Sequence, residues 1–306
     1  MKNTKLLHNF YYKCKLIRNV EESIEYLFSQ GKLFGTTHSC IGQEIVAVSV
    51  LSGIDITKDT VTGTHRSHGH YLALFDDPES LFAELMGKRI AFSQGKGGSQ
   101  HLYRDNFYTN GITGGMIPIA TGIALSKKLN NSDAIVVAFL GDGAMNEGYV
   151  FESFNFASIK QIPILFVLEN NLYAMSTHVN KSSAGNFNKR IESLNIKNFI
   201  IDSSDYNEIN NITTRAIEYV RTNKIPAFVH FITYRYCGHS KNDTCEYRSS
   251  DEENFWKERD ILKRMENEID FEVKKEIENR IKTIINKSIK NAEKAKWPDP
   301  YEVYKY

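Results

Sequence analysis

At 306 residues, with 41% hydrophobic and 25% charged side chains and a formal net charge of +1, the chain has the balance of a soluble globular protein, enough for one large α/β domain or two smaller ones. Mixed, near-neutral charge excludes the basic stripe of a nucleic-acid binder and the polybasic patch of a membrane-surface protein. Cys14, Cys40, Cys237 and Cys245 form no Cys-x-x-Cys pair, which removes the usual zinc and thioredoxin-like arrangements and leaves a reducing cytoplasm as the expected compartment.

In chain order, Leu6, Phe10, Ile17, Ile24, Leu27 and Phe28 recur near helical spacing and predict a helix over 5–30, stopped by Gly31. Residues 1–10 carry lysines but no signal-peptide core, and no apolar run reaches membrane-spanning length. A second helix is expected over 41–51, and a third over 72–87 broken by a turn at Asp77-Pro78. Two glycine-dense loops follow, at 95–99 and 111–115, and Pro118 is expected to open a helix reaching Lys128.

The central unit is the most legible part. AIVVAFL at 134–140 and IPILFVL at 162–168 read as buried strands flanking a helix over 149–160. Such a strand–helix–strand unit is almost always parallel and right-handed. Uninterrupted apolar strands belong to sheets covered on both faces. Phe151, Phe154 and Phe156 are expected in the aromatic core. Residues 176–188 read as a polar, mobile loop, 198–202 as a strand, 206–222 as a helix, 227–234 as a strand and 235–250 as a second polar loop. The charged, amphipathic segment 251–294 reads as two helices before a Trp297-Pro-Asp-Pro tail. The expected fold class is therefore α/β, a parallel sheet with helices on both faces. One domain spans 1–306, with helical extensions at both ends, the C-terminal one covering 251–306.

In open α/β sheets, ligands bind beyond the carboxyl ends of the strands. Gly141-Asp142-Gly143 follows one strand of the central unit and Asn170-Asn171 follows the other. An aspartate carboxylate and an asparagine carbonyl are hard oxygen ligands suited to magnesium or calcium. Glycines let backbone approach a phosphate, and a following helix N-terminus favours negative charge. Gly-Asp-Gly alone is more often only a tight turn; two such motifs at matched strand ends favour a site. His65, His68, His70 and His101 have no standard zinc spacing and read as neutral, hydrogen-bonded histidines.

Gly141-Asp142-Gly143, about 26 residues and then Asn170-Asn171 resembles the thiamine-diphosphate signature. The surrounding text, with GQE at 42–44, HRSHGH at 65–70, GKGGS at 95–99 and TYRYCGHS at 233–240, resembles the alpha subunits of 2-oxoacid dehydrogenases of the pyruvate and acetoin type. The resemblance implies thiamine diphosphate and magnesium as cofactors. It implies Asp142, Asn171 and the carbonyl of Tyr173 as metal ligands, with Gly143 and Ala144 along the diphosphate. Gly111 and Thr113 match positions beside the aminopyrimidine, Arg66 and His65 a cofactor-contacting pair, His239 a loop histidine near the diphosphate, and His38 a histidine near the substrate. Ser240 matches a serine phosphorylated in mitochondrial relatives and reads here as a loop hydroxyl.

The resemblance further implies a beta subunit that supplies the glutamate activating the cofactor, an α2β2 heterotetramer, a small 2-oxoacid or acetoin as substrate and a lipoyl acyltransferase as acyl acceptor. No nucleic acid or membrane partner is expected. Three departures stand out: His65-Arg66 where the family usually has Tyr-Arg, Ser99-Gln100-His101 where it usually has Ser-Met-His, and Lys241–Thr244 where it runs into Asp-Pro. A split transketolase-like enzyme shares the Gly-Asp-Gly and Asn pattern and is the alternative; the TYRYCGHS and Glu169-Asn170-Asn171 segments favour the dehydrogenase.

Overall fold

The computed structural model describes residues 4–304; the first three residues of the 1–10 segment read above, and the two terminal residues of the 1–306 span, lie outside them. The chain opens with α1 (Thr4–Ser29) and α2 (Glu44–Leu51), then β1 (Thr60–Gly63), α3 (His68–Phe75), α4 (Pro78–Leu85), β2 (Tyr103–Arg104) and β3 (Phe107–Thr109). The centre holds α5 (Met116–Leu129), β4 (Val136–Gly141), α6 (Gly148–Lys160), β5 (Ile164–Asn170), β6 (Tyr173–Ala174), β7 (Thr177–His178), α7 (Val179–Ser182) and α8 (Phe187–Glu192). It closes with β8 (Lys197–Ile201), α9 (Tyr206–Asn223), β9 (Ala227–Ile232), α10 (Ser250–Glu258), α11 (Ile261–Glu268) and α12 (Phe271–Lys294).

Seven strands form one sheet in the order β2-β3-β1-β4-β5-β9-β8. Every pairing in it is parallel except β2 with β3. The strand period of two divides the core. Val137, Phe139, Leu165, Val167 and Val229 point into one apolar layer, under α1, α2 and α9. Val136, Ala138, Leu140, Phe166 and Phe228 point into the other, under α5 and α6. This is the sheet covered on both faces that the apolar runs predicted.

Local signals account for the boundaries. Asp76 takes the left-handed conformation (φ 51°) at the end of α3, and Asp77 caps α4 by accepting from the Ser80 N–H. Asp205 caps α9 in the same way. Pro118 sits inside the first turn of α5 rather than opening it, where its missing N–H costs nothing.

Three expectations need correction. Segment 251–294 forms three helices, because Asp260 and Asp270 each start a new one by accepting from Leu262 and Glu272 N–H groups. Segment 176–188 contains β7, α7 and the start of α8, tied down by Asn186 capping α8. Of the three phenylalanines on α6, only Phe154 (1% exposed) is core; Phe151 and Phe156 are 45% and 37% exposed, since they flank on opposite sides the buried stripe of Val150, Ser153, Phe154 and Ala157. Among the described residues no helix is long and apolar enough to cross a membrane.

Candidate active site

Parallel register brings five strand ends to one side of the sheet. Gly141 at the end of β4 pairs with Glu169 of β5, Gly63 of β1 with Thr109 of β3, and Asn170 of β5 with Ile232 of β9. The loops that leave these ends therefore meet. One delivers His65 and Arg66, one Gly111 to Thr113, one Asp142 to Ala144, one Asn171 to Tyr173.

They enclose a cavity of about 310 Å³. Of the residues singled out from sequence, Arg66, His65, Thr113, Asp142, Gly143, Ala144, Asn171, Tyr173 and His239 all line it. His38 and Gly111 do not. His38 stands one ring behind the wall, edge-on to His65 and His239 with ring centroids 4.6 and 4.8 Å away. Gly111 lies beside Ile112 on the rim and makes room for a neighbour: a Cβ there would lie 2.2 Å from Gln100 Oε1. In the same loop Gly114 holds φ +71°, and a Cβ would meet Val150 at 2.6 Å, so only glycine fits.

Asp142 is 2% exposed, and its Oδ2 has no hydrogen-bond partner among the described residues. Burial pushes its carboxyl up to about 6, against backbone N–H groups and the field of Arg235, which lower it. Asn171 Nδ2 donates to Gln43 Oε1 (3.3 Å), and the Tyr173 N–H donates to Asn171 Oδ1 (3.3 Å). Between them Leu172 adopts φ 72°, an uncommon conformation for a non-glycine residue and one that clusters at functional turns. An orphaned buried carboxylate oxygen next to an asparagine carbonyl fits a hard divalent cation.

Two buried guanidiniums set the potential. Arg66, 5% exposed, donates to the Ser39 and His239 carbonyl oxygens. Burial and then Arg235 lower it to about 10, so it stays charged at neutral pH. Arg235 is fully buried; one of its nitrogens donates to Met175 O and Tyr247 Oη, while Nε and the other terminal nitrogen make no hydrogen bond among the described residues. Burial, then Arg66, hold His38 at about 3, His65 at about 2 and His239 at about 4. All three imidazoles are neutral at physiological pH. A pocket that sets the Arg66 guanidinium beside neutral hydrogen-bonding rings and a buried, unpartnered carboxylate oxygen can hold an anionic ligand bridged by a metal.

His68 and His70 are both buried and hydrogen-bonded, to Glu21, Ser99 and Ser67. His101 is exposed. Sequence reasoning missed Gln43, Glu147 and Glu169, which line the cavity, and gave Arg235 no role. The available signal for Arg235 was its place directly after the strand-end segment of β9.

The fold and the cavity at its strand ends define an α/β protein that can take an anionic ligand and a divalent cation at the carboxyl ends of its parallel strands. The chain belongs to the dehydrogenase E1 component family, whose model matches residues 12–301. It is 41% identical over 254 residues to the pyruvate dehydrogenase E1 component subunit alpha of Rickettsia prowazekii, covering 82% of this chain and 78% of that protein. The like-named protein of Rickettsia felis is 39% identical over 302 residues, 94% of this chain and 91% of its own length. That of Zymomonas mobilis is 37% identical over 256 residues, 82% and 72%. Membership of this family implies thiamine diphosphate as cofactor and a beta subunit as partner in a heterotetramer.

Proposed function

We propose that the chain acts on a small 2-oxoacid of the pyruvate kind, as the diphosphate-anchoring alpha subunit of an α2β2 enzyme. A lipoyl acyltransferase accepts the acyl group, and the complex works in the cytoplasm. The observation that carries the site assignment is the buried, unpartnered Oδ2 of Asp142 on the wall of a cavity at the strand ends. Magnesium would be held by Asp142, Asn171 and the carbonyl of Tyr173, and would neutralise the diphosphate. When bound, thiamine diphosphate supplies the electron sink for decarboxylation of a 2-oxoacid.

This chain's own residues then have definite tasks. Gly143 and Ala144 offer backbone to the diphosphate, Arg66 and His239 hold negative charge there, and Gly111 and Thr113 flank the aminopyrimidine. His65 faces the cofactor and His38 stands behind it on the substrate side. Residues 1–306 constitute one thiamine-diphosphate-binding domain with a helical extension at 251–306.

Calorimetry of the complex with its beta subunit, titrated with thiamine diphosphate and magnesium, tests the site. Reduction of an artificial electron acceptor driven by pyruvate, and by other 2-oxoacids and acetoin, tests the reaction. Turnover of ketose phosphates alone would overturn the assignment in favour of a split transketolase-like enzyme.

A further inference from the structure

The two histidines on the cavity wall, His65 and His239, and His38 behind them are not independent. His38, His65 and His239 each bring one ring nitrogen within 4.8 Å of the others. Three imidazoles so close could be taken for a metal centre. The guanidiniums of Arg66 and Arg235 both act on all three rings, and that positive field disfavours a bare cation. A trio of neutral rings is better understood as a hydrogen-bonding wall, whose directionality depends on which nitrogen of each ring carries the proton.

Gln100 bears on that choice. Its amide Nε2 lies 3.4 Å from His38 Nδ1. If the amide donates, Nδ1 accepts, and the single proton of a neutral His38 resides on Nε2. The amide is confined: Oε1 occupies the space that a side chain at Gly111 would fill. The backbone is confined too, because Thr109 Oγ1 donates to the Gln100 carbonyl at 2.8 Å.

A fully buried carboxylate fixes the two loops involved. Glu21 bonds His68 Nδ1 at 3.2 Å, and His68 Nε2 meets Ser99 Oγ at 2.9 Å, next to Gln100. The same Glu21 oxygen accepts from the Cys40 N–H at 3.2 Å, two residues from His38. Burial disfavours the Glu21 charge, but His68 and the Cys40 hydrogen bonds more than offset it, leaving its carboxyl below the usual range. Loops 36–43 and 95–101 are thus pinned to one acid, so the approach of Gln100 to His38 is a built feature.

We propose that Gln100 is a positioning residue that keeps the His38 proton on Nε2 and thereby sets the hydrogen bonds that His65 and His239 present to a 2-oxoacid. The proposal rests on the function stated above. It concerns a position where this chain departs from the methionine usual in the Ser-Met-His segment.

The test uses the complex with its beta subunit, in wild type, Gln100→Met and Gln100→Glu, with pyruvate as substrate and a dye as electron acceptor. Gln100→Met keeps length and volume but cannot donate. It is expected to raise KM about tenfold while kcat changes by less than about threefold and thiamine-diphosphate affinity is unchanged. Gln100→Glu accepts from Nδ1–H instead, moves the proton across the ring and stabilises imidazolium. It is expected to add an ionisation to the kcat/KM profile between about pH 5 and 8. Wild-type KM in the first variant together with an unchanged profile in the second overturns the proposal, and so does an equal loss of cofactor affinity in both. A wild-type complex that binds cofactor but turns over no 2-oxoacid overturns the functional reading itself, and the Gln100 proposal with it.

Discussion

Arg66 donates to the carbonyl oxygen of His239 at 3.1 Å, linking the end of β1 to a loop 173 residues further along the chain. Its other terminal nitrogen donates to the Ser39 carbonyl, beside His38. One buried cation therefore ties together the three segments that carry His38, His65 and His239. Loss of two hydrogen bonds from a charged, buried donor is worth about 3 kcal/mol or more.

Arg66→Met should therefore loosen the loop at 235–250. Limited trypsin digestion is expected to cut faster after Lys241 and Arg248, and calorimetry of the complex should find thiamine-diphosphate affinity weakened at least about tenfold. Arg66→Lys should fall between, since one ammonium cannot span both carbonyls in the guanidinium's fork geometry. Wild-type digestion kinetics in Arg66→Met would show that the clamp is not what orders the loop.

Asp142 pits function against stability. Its carboxyl titrates near 6 in the fold because burial disfavours the charge. An acid raised in this way stabilises the fold least where it is ionised: the deficit grows as pH rises from about 4 to about 6 and is full at neutral pH, at about 3 kcal/mol. Asp142→Asn removes it. The cofactor-free variant should melt a few degrees above wild type at pH 7.5, with the gap closing near pH 4. On addition of thiamine diphosphate and magnesium only wild type should gain. A variant that is less stable without cofactor, or that binds it normally, contradicts the placement of the site.

The histidines give the opposite sign. His38, His65, His230 and His239 are all held well below their ordinary pKa, by burial first. A base depressed in the fold contributes fully above its unfolded value near 6.5, and its contribution is lost as pH falls below that, because the unfolded chain takes up the proton and the fold does not. Each adds up to about 1.4 kcal/mol per pH unit in that window. His65→Tyr should flatten the fall in melting temperature between pH 6.5 and 4; an unchanged slope would mean His65 is protonated in the folded state.

What sequence revealed and what it hid follow one physical line. β4 and β5 are uninterrupted apolar runs buried on both faces, so they and the residues just beyond them, Asp142 and Asn171, could be located. β1 is four residues, Thr60–Gly63, too short and too polar for any period, yet it delivers His65 and Arg66. Sequence matched His38 to the substrate side but could not place it behind the cavity wall, because its position depends on Glu21 and His68, 47 residues apart. The third C-terminal helix was legible in principle, since Asp260 and Asp270 are capping residues at its boundaries. Phe151 and Phe156 misled because an aromatic-rich helix beside an apolar strand suggests burial, whereas these side chains lie on the outer face.

That outer face bears on the partner. Ile112 and Met175 both line the cavity and are 66% and 64% exposed, while on the adjoining helices Ile119 and Phe151 are 50% and 45% exposed. Apolar residues around the mouth of a binding cavity are costly to leave in water, and covering each contributes about 1–2 kcal/mol to association. Ile112→Asp would instead require burying an unpaired carboxylate against the beta subunit. It should abolish co-purification of the two chains, or weaken their association by more than about a hundredfold in analytical ultracentrifugation. The melting temperature of the isolated chain should stay within about 1 °C of wild type, because the side chain is already solvated. Phe271→Asp is the control: that residue is 70% exposed on α12, outside the cavity lining, and assembly should be indifferent to it. If the two variants assemble equally well, the mouth of the cavity is not where the second chain sits.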